Sequence, residues 1–244
     1  MSGHSHAKKI KHQKAVTDQK RGKIFSKISR MISVAVQDKG QNPNINYALK
    51  TAIEKAREVN MPQENIDRAI KRGTGELSGE KLEEIVFEAY GPAGIAIIIE
   101  GITDNKNRTS SEIKQVLNQN GGKMVENGSV KWLFERKGCL SLDLSLQNEN
   151  FKNKEILEML AIEAGAEDFI WDDNLLVLYT GIDNLDKIKK DLEEKGAKIE
   201  STSLDWVAKE EMQVDEKIKE VCQKLFNSLD ELDSVQEVYS NLKE

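Results

Sequence analysis

Near Gly73 the spacing of apolar residues changes, and that change constrains what the chain can fold into. Upstream, apolar residues recur every three or four positions: Ile24, Ile28, Met31 and Ala35; Leu49, Ala52, Ile53 and Ala56; Ile66, Ala69 and Ile70. Each set lines one face of a helix. Gly40 and Pro43 close the first helix, Asn46 stands where it can cap the second, and Pro62 opens the third. Gly73 is expected to end that third helix in a left-handed conformation. Three such helices make a small bundle. Downstream the period falls to two. Ile85, Phe87 and Ala89 alternate with Val86, Glu88 and Tyr90, a strand that turns at Gly91-Pro92-Ala93-Gly94 and returns through the isoleucine-rich residues 95–99. Alanine at position 93 favours a type I turn there, because type II requires a positive φ at that position.

The glycine-rich segment 73–79 is also a charge boundary. Residues 1–72 hold 16 Lys and Arg against 6 acids, a net of +10, and the remaining 20 basic and 36 acidic residues net −16. Beyond the hairpin, Thr109 to Glu112 has the spacing of a capping box for a helix carrying Ile113, Val116 and Leu117. A strand, a helix, two strands, a helix and a strand then follow between Trp132 and Val207, the β-α-β-β-α-β order of a ferredoxin-like unit. The tail offers one helix, through Ile218, Val221, Cys222, Leu225 and Phe226, and a strand near Val238. These two elements find partners only in the earlier hairpin and helix. The expected class is therefore α+β: an N-terminal three-helix domain followed by two α/β domains of ferredoxin-like type, the second inserted in a split first. The corresponding boundaries are residues 1–75, 76–130 with 203–244, and 131–202.

The basic charge is concentrated at the start. Between Gly3 and Arg30, nine cations (Lys8, Lys9, Lys11, Lys14, Lys20, Arg21, Lys23, Lys27 and Arg30) face one acid, Asp18. Clustering of this kind is the mark of a polyanion-binding arm. Lys23, Lys27 and Arg30 fall nearly in line on the first helix. Lys71 and Arg72 either extend that basic face or complement a helix dipole. His4 and His12 are candidates to donate to phosphate. With Met1 removed, Ser2-Gly3-His4 could chelate Cu(II) or Ni(II), chemistry read as incidental, so no metal site is assigned. Lys106, Asn107 and Arg108, ahead of the expected helix start, form a possible phosphate contact, and Pro92 a possible contact loop.

Several segments resemble the YebC/PmpR family: the opening GHS with KRGKIFSK, then AIEKAREVNMP, NIDRAIKRGTGE, YGPAGIAIIIE, TDNKNRT and NGSVKWLFERKG. The resemblance runs from Gly3 to the C-terminal VQEVYSN. It implies a basic helical domain with two α/β domains. It also implies a role as a DNA-binding transcriptional regulator or, as an alternative, as a ribosome-associated translation factor whose polyanion is ribosomal or transfer RNA. The family usually has lysine and then tryptophan after Gly-His-Ser, where this chain has His6 and Ala7, and a glycine where it has Ala93.

Other classes find less support. The phosphate-binding Gly-x-x-x-x-Gly-Lys loop is absent, and all three histidines (His4, His6 and His12) precede the folded part, so the chain reads as a non-enzyme without a cofactor. Its longest apolar run is too short for a bilayer, which takes about 20 residues, so no membrane partner is expected. Two widely spaced cysteines and a polar start point to the cytoplasm. The expected oligomeric state is monomeric, and binding is expected to reside in residues 1–75. A protein-only adaptor using the acidic part is the third reading.

Overall fold

A computed structural model of the chain describes residues 18–77 and 81–243. It is an α+β protein: three N-terminal helices, then two four-stranded sheets. The described residues divide into two compact units, the first formed by residues 18–77, 81–129 and 215–238, the second by residues 130–214 and 239–243.

In the first unit, helix α1 (Asp18–Lys39) begins ahead of Ile24, the first residue of its apolar set, and packs on α2 (Tyr47–Glu58) and α3 (Gln63–Gly73). Their common core is Ile28, Ile32, Ala35 and Val36 with Leu49, Ala52, Ala56, Met61, Ile66 and Ala69. Asn46 caps α2 as expected, accepting from the Leu49 N–H at 3.0 Å. It also reaches back to α1: its fully buried Nδ2 donates to the carbonyls of Ala35 and Gly40, both at 2.7 Å. Gly40 sits at φ 80° and so ends α1 in the left-handed region. One side chain thus satisfies groups at the end of one helix and the start of the next. Gly73 departs from expectation. It remains inside α3, and Gly75, at φ 82°, takes the left-handed position. A Cβ at Gly73 would lie 2.6 Å from the Ser33 carbonyl and 2.6 Å from the Val36 Cβ. This glycine is required by the close approach of α3 to α1, which no local pattern encodes.

The first sheet has the order β3-β1-β2-β8, from β1 (Glu83–Tyr90), β2 (Ala96–Thr103), β3 (Lys123–Val125) and β8 (Val235–Ser240). Register pairs Phe87 with Ile99 and Ala89 with Ile97, placing Ile85, Phe87 and Ala89 on one buried face, as the alternation predicts. Helix α4 (Lys106–Gln119) buries Ile113 and Leu117, and α7 (Glu216–Asp230) buries Leu225, Phe226 and Leu229. The tail therefore completes the sheet begun by the hairpin. Glu88 occupies the opposite face, is buried, and accepts from the Gly128 N–H at 2.6 Å.

The second unit carries β4 (Phe134–Asp143), α5 (Lys154–Ala164), β5 (Asp168–Asp172), β6 (Leu175–Thr180), α6 (Leu185–Glu194) and β7 (Ser201–Ala208). The sheet order β5-β6-β4-β7, with every neighbour antiparallel, is that of the ferredoxin-like plan. Leu140, Leu142, Leu176 and Leu178 form one core with Leu157 and Leu160 of α5 and Leu185, Ile188 and Leu192 of α6. β7 pairs with β4 along its whole length, from Ser201 opposite Ser141 to Ala208 opposite Phe134. A division at residue 202 would cut that strand, so we propose that the return to the split domain falls later, between Val214 and Asp215, where the first unit resumes.

Asn46 gives the first prediction. Asn46→Ala should destabilise the protein by about 2 kcal/mol, since it removes a cap and leaves buried carbonyls unsatisfied. Asn46→Asp should do no better, because it keeps the acceptor for Leu49 but turns an anion towards two carbonyls. Denaturant unfolding of both variants measures this. An aspartate variant as stable as the wild type would reduce the role of Asn46 to helix capping.

Candidate nucleic-acid interface

Of the expected contact residues, His4, Lys8, Lys9, Lys11, His12 and Lys14 lie outside the described residues, as does the side chain of Lys20. Arg21 is exposed at the start of α1, and Lys71 and Arg72 are exposed in the last turn of α3. The row Lys23, Lys27 and Arg30 has a different setting. Lys23 pairs with the Glu231 carboxylate, and the Lys27 Nζ donates to the Asp230 carbonyl at 2.9 Å. The Arg30 Nη1 donates to the Ile102 carbonyl at 3.0 Å. Asp230 ends α7 and Glu231 caps it, so two of the three cations sit where helix carbonyls lack intrahelical partners and carry partial negative charge. The third holds β2. The basic stripe expected to face a polyanion therefore seats the helical bundle on the first sheet and its helix. Asp230 and Glu231 were not legible as partners, because an acidic pair at a helix end resembles any other solvated acid.

The two loop candidates also take definite forms. Ala93 lies at φ 56°, ψ 15°, in the left-handed region. The Gly94 N–H donates to the Gly91 carbonyl at 3.2 Å, and the Gly91 N–H to the Ile95 carbonyl at 2.7 Å. The type I expectation is thus corrected: closing β1 onto β2 requires a positive φ at position 93 whatever residue stands there. Ala93 and Gly94 are exposed and Pro92 half-buried. Helix α4 begins before the expected capping box. Its cap is Asn105, which accepts from the Arg108 N–H at 3.0 Å, while Thr109 is buried with its hydroxyl 2.8 Å from that of Thr103. Lys106, Asn107 and Arg108 thus form the exposed first turn of α4, with Arg108 paired to Asp104 and lying 3.9 Å from Glu112.

Cys139 and Cys222 are both buried. Burial pushes the Cys139 thiol well up, and the nearby Asp205 carboxylate raises it further. Burial likewise raises Tyr179, directly opposite Cys139 on β6. Among the described residues no group of three or more His, Cys, Asp or Glu could hold a metal ion, and no helix is long and apolar enough to cross a membrane.

A three-helix bundle followed by two α/β sheet units defines the class of protein by its fold. Residues 5–76 match the TACO1/YebC protein N-terminal domain, and residues 82–242 match the TACO1/YebC second and third domain. The chain belongs to the TACO1/YebC family. It is 49% identical over 243 residues to a protein of Halothermothrix orenii, covering 99% of this chain and 94% of that one. It is 44% identical over 244 residues to one of Aquifex aeolicus, covering 100% and 96%. Both carry the name "Probable transcriptional regulatory protein". The crystal structure of the conserved hypothetical protein Aq1575 from Aquifex aeolicus is similar with a TM-score of 0.87 at 43% identity, covering 98% of this chain and 97% of that one.

Ala93→Gly should stabilise the protein by ~0.5–1 kcal/mol, because alanine in the left-handed region costs about 1–2 kcal/mol while glycine raises the entropy of the unfolded chain. A loss of stability in thermal unfolding would show that Ala93 is not strained. Neither cysteine should react with a thiol reagent in the native protein at neutral pH, and both should react on unfolding. The native Cys139 stays protonated while its unfolded counterpart ionises, so this group favours the unfolded state above about pH 8.5 and has no effect below it. Cys139→Ala should make the alkaline decline in stability shallower; an unchanged decline would contradict the shift.

Proposed function

We propose that the protein is a nucleic-acid-binding regulator of gene expression, acting in the cytoplasm through its basic N-terminal segment. The observation that carries this reading is the division of charge, +10 over residues 1–72 and −16 over the rest. Affinity comes from Lys8, Lys9, Lys11 and Lys14, with His4, His12, Lys20 and Arg21 adding donors, and Lys71 and Arg72 offering exposed cations at the end of α3. Lys23, Lys27 and Arg30 serve the same function indirectly by fixing the bundle. Contacts of lysine and arginine to phosphate position a protein without reading sequence. The name borne by the relatives supports transcription, and hence DNA, as the setting. A ribosomal partner is the alternative, since phosphates are common to both polymers. The chain is read as a non-enzyme that works without a cofactor and as a monomer.

Crosslinking in cells followed by sequencing of both DNA and RNA tests the proposal. Enrichment of promoter DNA is the expected result. Recovery of ribosomal RNA at one locus would replace transcription with translation, and recovery of neither would leave the protein-only adaptor.

A further inference from the structure

The end of the second sheet where β4 begins and β7 finishes carries aromatic and cationic side chains. Arg136 shares a face with Gly138, Leu140 and Leu142 by strand alternation, and the last two of these lie in the core with α5 and α6. A Cβ at Gly138 would meet the Leu185 Cβ at 3.0 Å, so the start of α6 lies directly on it. Beyond that point Arg136 stands opposite Trp206. The Arg136 guanidinium lies 5.1 Å, and the Lys131 Nζ 4.9 Å, from the centre of the Trp206 ring. Lys131 opens the short 3-10 turn Lys131–Leu133 ahead of β4, and the next residue, Trp132, is 64% exposed. The Lys209 Nζ donates to the Trp132 carbonyl at 2.9 Å. Two tryptophans and three cations thus converge at one end of a sheet in the acidic part of the chain.

A tryptophan this exposed is a departure from ordinary surface chemistry, because an indole left in water forgoes a large apolar burial. Cations on the Trp206 ring and on the Trp132 backbone carbonyl favour an anionic partner with a flat aromatic surface. The basic arm has no Phe, Trp or Tyr before Phe25, so it can hold phosphates but offers no such ring for a base to stack on. Glu135 points to the other face of the sheet by alternation and lies 3.6 Å from Lys137. Glu210 and Glu211 follow Lys209 and are exposed, which keeps the patch from acting as a bare charge site. Its selectivity must then come from the ring. Resting on the nucleic-acid reading above, we infer that Trp132 stacks on an unpaired base of a single-stranded segment while Lys131, Arg136 and Lys209 hold the flanking phosphates. Duplex offers this site no exposed base face, so the arm serves either form and Trp132 only the single strand. This site departs from the expectation that binding resides wholly in residues 1–75.

The test compares the full chain with Trp132→Ala, Trp132→Phe and a variant with Lys8, Lys9 and Lys11 all changed to alanine. The probes are oligouridylate, oligothymidylate and a duplex of equal length. Trp132→Ala should weaken single-strand binding by about 5- to 150-fold, the range for loss of one stacked base, and leave duplex binding and the melting temperature unchanged. Trp132→Phe should restore most of the loss. The lysine variant should weaken binding to all three probes. A difference between oligouridylate and oligothymidylate would identify which polymer supplies the base. Unchanged single-strand binding in Trp132→Ala, or an equal loss on duplex, would overturn the stacking site and leave the arm reading standing. Undiminished binding by the lysine variant would overturn the arm reading instead, and a wild type that binds no probe would overturn both.

Discussion

The seating of Lys23, Lys27 and Arg30 on the end of α7 and on β2 decides how the rest of the first unit can work. Lys27 and Arg30 donate to backbone carbonyls from partly buried positions, and hydrogen bonds from charged donors contribute about 1.5–3 kcal/mol each. The Lys23–Glu231 pair is more open, with 36% and 62% of its side chains exposed, and an exposed pair contributes about 0–1 kcal/mol. The carbonyl contacts therefore dominate. They hold a helical bundle that is basic on average against an acidic helix end, and they do so with residues that sequence alone would count as ligands.

Once those cations are engaged, the cationic surface divides into parts with separate tasks. Residues ahead of α1 carry six of the positions proposed to meet phosphate, and α3 ends on two more. The acidic remainder repels a polyanion, though only within roughly 8 Å at physiological ionic strength. Under the proposed function, a nucleic acid would be steered towards the basic N-terminal segment without being excluded from the end of the second sheet that carries Trp132.

Much of the fold was legible because its signals are local. Apolar spacing located three helices and the two strands around Pro92, and the order of elements gave the ferredoxin-like unit and the return of the tail to the first sheet. Asn46 was legible as a cap from its residue type, but its reach to Ala35 and Gly40 was not. The failures share a cause. Gly73 is fixed by its contact with α1, Ala93 by the closure of β1 onto β2, and Thr109, expected to cap α4, is instead drawn into the interior by the Thr103 hydroxyl while Asn105 caps the helix. Each is set by a neighbour outside the local window. The candidate site divides in the same way: charge clustering pointed to the arm, while the partners of Lys23, Lys27 and Arg30 and the setting of Trp132 depend on three-dimensional placement.

The central claim is that the arm, and not the α1 row, carries the electrostatic interaction with phosphate. It is tested most directly by a salt titration of nucleic-acid binding by the full chain and two triple-alanine variants. The slope of log affinity against log salt should flatten by about 3 when Lys8, Lys9 and Lys11 are removed, close to one unit for each phosphate that is no longer neutralised. Removal of Lys23, Lys27 and Arg30 should leave the slope nearly unchanged while lowering the unfolding free energy. A slope that flattened for the α1 row as much as for the arm, with stability intact, would contradict the account.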